Sequence, residues 1–317
     1  KVKELEVYKL CHFQEGIGKK SYRQMHNEEW TKHAQTEIKK RVENSKNNDY
    51  RVEEPPLYLD LRLGNICNLK CRMCNPFNST KILAETNRLL RNNKDFKNFW
   101  AKYNSNDKPV EPIEKWYESD DFWDEVIGSI SKLKKVYLTG GEPTLIENNY
   151  RFMQACVESG KAKDIFLMFN INGTQVTERF LSYLPNFKFV LINVSIDGYG
   201  KLNEYIRKNS KWDIVDENLR KLLVTGKNVQ VGITPVIVPY NILKITELLD
   251  YVDVLAKEYA KDINVDFLYV KSPSYLDVAS FPLSLRKTAA QRLRSFKEVS
   301  ASYQKNVFFK NSIDSCL

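Results

Sequence analysis

The chain alternates strand-like and helix-like segments between residues 57 and 270. Six runs rich in Val, Ile, Leu and Phe have the composition of buried strands, at residues 57–63, 136–139, 165–170, 189–196, 229–237 and 263–270. The stretches between them are compatible with helices, at residues 82–90, 150–159, 176–184, 214–223 and 242–257. Buried strands that alternate with helices form parallel sheets with helical crossovers. The sequence therefore predicts an α/β fold, a partial (β/α)6 relative of the TIM barrel.

The segments on either side of this alternation predict two appendages. Residues 1–54 are polar and helix-compatible, and the two prolines at 55 and 56 break any helix that precedes them. The charged, aromatic stretch at about 91–130 interrupts the alternation and is predicted to be an insertion. We therefore expect a helical N-terminal extension at 1–54, the barrel at 55–270 and a short C-terminal auxiliary element at 271–317.

Cysteines, glycines or small polar residues follow five of the six predicted strands. Cysteines follow the first strand and a Gly-Gly-Glu-Pro run follows the second, while Asn170 and Ser195 stand at the ends of the third and fourth. Such residues are common in any loop. In parallel barrels, however, the chemistry sits at the carboxyl ends of the strands. Their recurrence after successive strands predicts one shared site at this end.

Three of the six cysteines, Cys67, Cys71 and Cys74, lie within eight residues of one another. Thiolates at this spacing can hold a [4Fe–4S] cluster, whose four irons ask for four ligands, so one iron stays open to a ligand that is not protein. Zinc is an alternative, but it takes four Cys or His ligands, and all three histidines lie upstream of these cysteines. A disulfide or ordinary packing is the other alternative. The clustering favours an iron–sulfur centre in a reducing compartment.

The composition favours a cytoplasmic protein without a nucleic-acid partner. No run of about 18 apolar residues is present, so the sequence predicts no membrane span, and the first residues contain no apolar core of a signal peptide. The net charge of +9 is compatible with a lysine-rich surface or with an acidic partner. The basic residues are dispersed, without the aromatic interleaving of a nucleic-acid platform.

The Cys-x3-Cys-x2-Cys run after the first strand of a βα series resembles the radical S-adenosylmethionine (SAM) superfamily. The resemblance implies that Cys67, Cys71 and Cys74 hold a [4Fe–4S] cluster whose open iron is chelated by SAM. In that family, an electron from the reduced cluster splits the sulfonium and yields a 5′-deoxyadenosyl radical, which abstracts hydrogen from a C–H bond. It implies an enzyme of the oxidoreductase or transferase type and an electron donor such as flavodoxin or ferredoxin.

The Gly-Gly-Glu-Pro run resembles the GGEP motif of that family, which holds the amino group of SAM. It comprises Gly140, Gly141, Glu142 and Pro143. The alternative is an ordinary turn from a strand into a helix, with a glutamate in the first helical turn. Met73 takes the place before the last cysteine that is often aromatic and lies against the adenine. Methionine can also lie against a ring.

Further resemblances imply SAM contacts after the later strands. Ser195 and Asp197 resemble the Ser-x-Asp-Gly segment, where the ribose and carboxylate of SAM are held. Asn170 and Asn172 resemble the polar position after the third strand. Arg207 stands where related enzymes place a basic residue near the SAM carboxylate, although a solvated surface arginine is the alternative.

The run Cys11-x3-Glu15-x2-Gly18-x2-Ser21-x-Arg23 resembles a segment beside the auxiliary-cluster cysteines of twitch and SPASM radical SAM proteins. It implies a second Fe–S cluster, for which Cys11 and Cys316 are the cysteines outside the predicted barrel. Two thiolates do not hold a cluster by themselves, and Tyr8 stands where the family often has a further cysteine. Ligands outside this chain, non-cysteine ligands and loss of the cluster all remain open. Cys156 lies in an apolar helical pattern and is predicted to be a buried thiol.

The likeness to twitch and SPASM proteins implies a peptide or protein residue as the target of the radical. A rearrangement of a nucleotide or other small molecule, as in the related molybdenum-cofactor enzymes, is the alternative substrate class. A third hypothesis is a non-catalytic module that holds a cluster for redox or binding. The GGEP run and the polar strand ends argue against it, because an electron carrier needs none of them.

We expect Cys71→Ala to lose both the iron–sulfur absorbance and SAM cleavage, because it removes one of three thiolate ligands. The measurements are iron content after anaerobic reconstitution and 5′-deoxyadenosine formation. Cys156→Ala, which removes a thiol predicted to be structural, is the matched control and should keep both. Retention of SAM cleavage by Cys71→Ala would contradict the assignment of this loop.

Overall fold

The computed structural model describes residues 9–104, 108–306, 310–311 and 313–314. The chain divides into two compact units, Lys1–Pro55 and Pro56–Leu317. Tyr8 and Cys316 both lie outside the described residues.

The first unit is a pair of helices, α1 (Lys9–Gly16) and α2 (Tyr22–Asn47). Cys11 lies half-buried on α1. The backbone of α2 leaves helical geometry at Ala34, so this helix is bent there.

A polar cluster fixes the turn between α1 and α2. Ser21 caps α2 by accepting from the Gln24 backbone N–H, while the Gln24 side chain accepts from the Ser21 N–H. Glu15 accepts from the Ser21 hydroxyl at 2.5 Å and from Arg23 at 2.6 Å. Gly18 takes a left-handed φ of 76° within this turn. The polar residues of the N-terminal run thus account for its helix–turn–helix geometry.

The second unit contains short and long strands. They are β1 (Tyr58–Arg62), β2 (Lys70–Cys71), β3 (Lys135–Thr139), β4 (Phe166–Ile171), β5 (Phe189–Val194), β6 (Arg207–Lys208), β7 (Val229–Ile233), β8 (Val236–Ile237), β9 (Asn264–Val265) and β10 (Leu268–Tyr269). Its helices are α3 (Thr80–Asn92), α4 (Lys94–Asn104), α5 (Asp120–Ser129), α6 (Glu147–Glu158), α7 (Glu178–Tyr183), α8 (Lys201–Ile206), α9 (Trp212–Val224), α10 (Ile245–Tyr259), α11 (Leu283–Val299) and α12 (Ala301–Lys305).

Six strands form one parallel sheet in the order β1-β3-β4-β5-β7-β9. The strands are thus laid down one after another, with helical crossovers between them, which is the pattern of a βα barrel. Among the described strands, β1 and β9 are the two ends of this order, so the sheet is open. This confirms the predicted α/β fold with a partial barrel.

The central strands bury alternate residues completely. Leu138, Phe169 and Ile192, which lie side by side in β3, β4 and β5, all have 0% exposure. They belong to one hydrophobic cluster with Phe152 and Cys156 of α6. Successive residues of a strand face opposite sides of the sheet. The intervening, partly exposed residues of these strands therefore face away from α6.

Two of the predicted strands are divided in the structure. The run at 229–237 forms β7 and β8, with Thr234 and Pro235 between them. Proline has no N–H to donate to a ladder, and β8 pairs instead with β10 in a separate two-stranded sheet. The run at 263–270 is divided in the same way into β9 and β10.

Helix α11 lies in the segment predicted to be a short auxiliary element. Its residues Ala289, Leu293 and Phe296 are spaced along one face, are buried, and join the hydrophobic cluster of the barrel. The C-terminal stretch from 283 to 305 therefore shares the barrel core.

We expect Phe169→Ala to lower the free energy of unfolding by about 3–5 kcal/mol, the usual cost of emptying a fully buried aromatic site. Phe169 has 0% exposure and packs edge-on against Phe180, with ring centroids 5.2 Å apart. Phe189→Ala is the matched control, because Phe189 makes a similar edge contact with Phe166 but is 37% exposed. Denaturant titration should show a clearly smaller loss for the control. Equal losses would contradict this account of the core.

Candidate active site

The loop between β1 and α3 carries the three clustered cysteines and is held at its middle and at its end. Within it, β2 pairs antiparallel with β6, which places Cys71 opposite Arg207. Ser79 caps α3 by accepting from the Ile82 N–H and donates to the Leu69 carbonyl at 2.8 Å. The cysteine loop is therefore fixed by a strand pairing and by a helix cap.

Cys67, Cys71 and Cys74 all line one cleft of about 600 Å³. Burial raises the pKa of each thiol, to about 12 for Cys71, and the nearby Arg207 guanidinium opposes this rise at all three. The described residues include no three His, Cys, Asp or Glu side chains arranged for a single metal ion. Three sulfur donors instead line the same cleft, which fits a larger centre that takes thiolate ligands.

The Gly-Gly turn after β3 lies directly against the cysteine loop. Gly140 and Gly141 have φ of 89° and 48°, and the Glu142 N–H donates to the Ile66 carbonyl at 2.7 Å. A Cβ atom on Gly141 would lie 2.3 Å from the Ile66 oxygen. The contact therefore requires glycine on both conformational and steric grounds.

Glu142 lines the cleft, and its carboxylate joins two loops. It accepts from the Thr144 hydroxyl at 2.6 Å and from the Asn172 N–H at 2.6 Å. Burial raises the pKa of Glu142 to about 7, and these hydrogen bonds oppose the rise. The buried Pro143 opens a single 3-10 turn that Glu142 caps, so the turn geometry expected from the sequence is also present. Pro143 itself does not line the cleft.

Asn170 and Asn172 both line the cleft after β4. Asn172 donates to Asn68 at 2.8 Å and accepts from the Thr174 hydroxyl at 2.6 Å, while Asn68 donates to Thr174 at 2.8 Å. Asn170 accepts from Asn193 of β5. These amides tie the cysteine loop to the strand ends. The role of Asn68 was not predicted, although its place between two cysteines was a usable signal.

Ser195 lines the cleft, whereas Asp197 is fully buried behind it. The Asp197 carboxylate lies 2.6 Å from Arg207 Nε and accepts from the Val236 N–H at 2.8 Å. Arg207 lines the cleft and is only 8% exposed, so it is not a solvated surface arginine. The structure therefore brings Ser195 and Arg207 to the thiols but places Asp197 on the far side of the guanidinium.

Other residues of the cleft wall were missed by the sequence analysis. Met73 lines the cleft as predicted, but so do Phe77 and Asn78 from the cysteine loop and Ile113 from the predicted insertion. Phe77, an exposed aromatic next to the cysteines, could have been noticed. Ile113 carries no sequence signal, because it lies in a stretch without regular periodicity.

The three remaining cysteines lie outside the cysteine loop and were given two different predicted roles. Cys11 lies on α1 in the N-terminal unit, and Cys316 lies outside the described residues, so the auxiliary cluster stays a prediction. Cys156 is fully buried on α6, where burial raises its thiol pKa to about 12. It is a structural thiol, as expected from its helical pattern.

The family model of the Radical SAM superfamily matches residues 61–252, a span that runs from β1 into α10. The chain belongs to the Radical SAM superfamily. The cofactors of this superfamily are a [4Fe–4S] cluster and SAM, which confirms the predicted cofactor pair. No curated protein matches the chain.

Solved structures with the same fold are distant in sequence. One is anSMEcpe with bound AdoMet, which has 18% identity and a TM-score of 0.53 over 78% of this chain and 60% of that chain. Another is SuiB from Streptococcus suis bound to S-adenosylmethionine, with 16% identity and a TM-score of 0.51 over 93% of this chain and 58% of that chain. A third is anSMEcpe with bound AdoMet and Cp18Cys peptide, with 17% identity and a TM-score of 0.50 over 78% of this chain and 62% of that chain. This chain thus spans about three fifths of their length and shares their fold.

Across the described residues, the structure contains no helix with the length and apolar character needed to cross a membrane.

We expect Gly141→Ala to lower both the iron content after reconstitution and the free energy of unfolding, because the added Cβ overlaps the backbone of Ile66. Gly160→Ala is the matched control: Gly160 also has a left-handed φ, of 69°, but beyond its chain neighbours no heavy atom of the described residues lies within 4 Å of the added Cβ. The control should cost only about 1–2 kcal/mol of backbone strain and keep its iron. Iron assays and denaturant titration compare the two, and equal iron contents would contradict the proposed loop contact.

Proposed function

We propose that this chain is a radical SAM enzyme that acts on a residue in a peptide or protein, in the manner of the twitch and SPASM subgroup. The observation that carries the proposal is the shared cleft. The three clustered cysteines line the same cleft as Glu142 and Ser195. Thiol donors and polar groups that could hold a charged cofactor therefore meet at the carboxyl ends of the parallel strands.

Cys67, Cys71 and Cys74, which all line the cleft, would hold the cluster as thiolates. When bound, the cluster and SAM supply a reductive cleavage that generates a 5′-deoxyadenosyl radical for hydrogen abstraction. Thiols deprotonate when they bind metal, so the three partly buried thiols would release protons as the site is assembled. Arg207, with its fixed positive charge, favours that deprotonated form.

The chain's own residues bind and orient the sulfonium cofactor. Glu142 offers carboxylate oxygens to the amino group of SAM, and its buried hydrogen bonds keep that carboxylate in one position. Asn170, Asn172 and Ser195 offer amide and hydroxyl groups to the remaining polar atoms of SAM. Met73 offers a polarizable side chain to the adenine.

The fold shared with anSMEcpe supports a peptide or protein as the target, because that protein has been solved with bound AdoMet and Cp18Cys peptide. The cleft wall also includes the apolar Phe77 and Ile113, which suit the carbon skeleton of a side chain. The polar groups opposite the thiols argue against a module that only holds a cluster, since such a module has no cofactor to orient.

The proposal includes an external electron donor such as flavodoxin or ferredoxin, because the cluster must be reduced before it can act. It also includes a reducing, cytoplasmic setting, in which clustered thiols stay available for iron.

We expect anaerobically reconstituted protein, reduced with dithionite, to convert SAM to 5′-deoxyadenosine, which mass spectrometry detects. The target class is tested by adding either a tryptic digest of perdeuterated protein or a perdeuterated nucleotide mixture. Deuterium should reach 5′-deoxyadenosine from the peptides, because the radical abstracts hydrogen from the bound target.

Two results would count against the proposal. A protein with a full cluster and no 5′-deoxyadenosine would exclude the radical SAM activity. Deuterium transfer from the nucleotides, with none from the peptides, would exclude the proposed target class and favour the small-molecule alternative.

A further inference from the structure

We infer that Asp197 and Asn241 are positioning residues that aim Arg207 at the Cys71 sulfur, and that this guanidinium raises the reduction potential of the cluster. The inference rests on the proposed function in one respect, namely that Cys71 is a cluster ligand. In this inference Asp197 pairs with Arg207 and does not contact the SAM carboxylate.

Arg207 is committed to two partners at once. Its Nη1 donates to Cys71 Sγ at 3.8 Å, and its Nε lies 2.6 Å from Asp197 Oδ2. The backbone supports this contact, because β2 and β6 pair Cys71 with Arg207 and the Arg72 N–H donates to the Ile206 carbonyl at 2.9 Å. The guanidinium is thus held beside the sulfur by its ion pair with Asp197 and by the backbone pairing of β2 with β6.

Asp197 reaches the cleft through its ion pair with Arg207. It has 0% exposure and does not line the cleft. Its Oδ1 accepts from the Val236 N–H, and its own backbone N–H donates to Asn203 at 3.0 Å. The carboxylate is therefore fixed between the segment after β5 and the start of β8.

Asn241 holds that arrangement from the other side. Its side-chain amide donates to the Asp197 carbonyl and to the Val236 carbonyl, both at 2.8 Å, and its Oδ1 accepts from the Val238 N–H at 2.9 Å. Asn241 has 0% exposure. Its three hydrogen bonds lock the loop after β8 onto the residue that pairs with Arg207.

The charges of this pair act at short range in a buried setting, where electrostatic interactions are stronger than in water. Reduction adds a negative charge to the cluster, and a cation at a ligand sulfur stabilises that charge. Asp197 offsets part of the effect from behind. Removing the cation and removing its counter-ion should therefore move the reduction potential in opposite directions.

The test uses reconstituted protein without SAM and measures iron and sulfide per chain and the midpoint potential by EPR-monitored redox titration. Arg207→Gln should lower the potential. Asp197→Asn keeps an oxygen that can hold Arg207 Nε but removes the negative charge behind the guanidinium, so it should raise the potential while the arginine stays charged. Arg220→Gln is the matched control: Arg220 is also an ion-paired arginine, bound to Asp216 and Glu258, and it does not line the cleft. The control should leave the potential unchanged.

Shifts in the same direction, or none in either variant, would overturn the inference. If a neutral variant takes up no iron, Arg207→Lys and Asp197→Glu provide the second test, since both keep the charge. The inference then predicts that these conservative variants load the cluster, and a failure of both would indicate a purely structural role and overturn it.

The outcomes also separate this inference from the proposed function. If the two variants shift the midpoint potential in opposite directions but the protein forms no 5′-deoxyadenosine, the role of the Arg207–Asp197 pair is supported and the enzymatic proposal is contradicted. If the protein cleaves SAM but neither variant changes the midpoint potential, only the proposed role of the Arg207–Asp197 pair is contradicted. Wild-type protein that holds no cluster would overturn both.

Discussion

The hydrogen bond from the Glu142 N–H to the Ile66 carbonyl joins the two loops on which the candidate site depends. It forms only because the Gly140-Gly141 turn lets one backbone approach another where any Cβ would collide. The same turn delivers the Glu142 carboxylate, which then fixes the loop after β4 through the Asn172 N–H. One close backbone approach therefore sets the relative positions of the thiols and the polar groups.

The sequence predicted what local patterns determine. Buried strands are recognisable from runs of Val, Ile and Phe, and the cysteine spacing is legible in eight residues, because both signals lie within a short window. The divided strands were missed because their ends depend on partners elsewhere, as when β8 leaves the main sheet to pair with β10. The same holds for the β2–β6 pairing, which joins Cys71 to Arg207 across 136 positions of the chain.

In the candidate site, a residue of the predicted chemical type does not always face the cleft. Ser195 and Asp197 are two positions apart, which would place both on one face of a strand, yet only Ser195 lines the cleft. The reason is that β5 ends at Val194, so the alternation no longer applies beyond it. A pattern can therefore nominate Asp197 as functional, while the direction of its carboxylate follows from Arg207, Val236 and Asn241.

Tyr117, in the predicted insertion, packs closely against Gly64 of the cysteine loop. Its hydroxyl occupies the space that a side chain at Gly64 would need, 2.6 Å from where a Cβ would lie. The stretch around it also supplies Ile113 to the cleft. Tyr117 therefore fixes the stretch 108–118 against the cysteine loop at one point. Substitutions elsewhere in this stretch would therefore change the cleft wall at Ile113 without touching the walls built by the cysteine loop and the Gly-Gly turn.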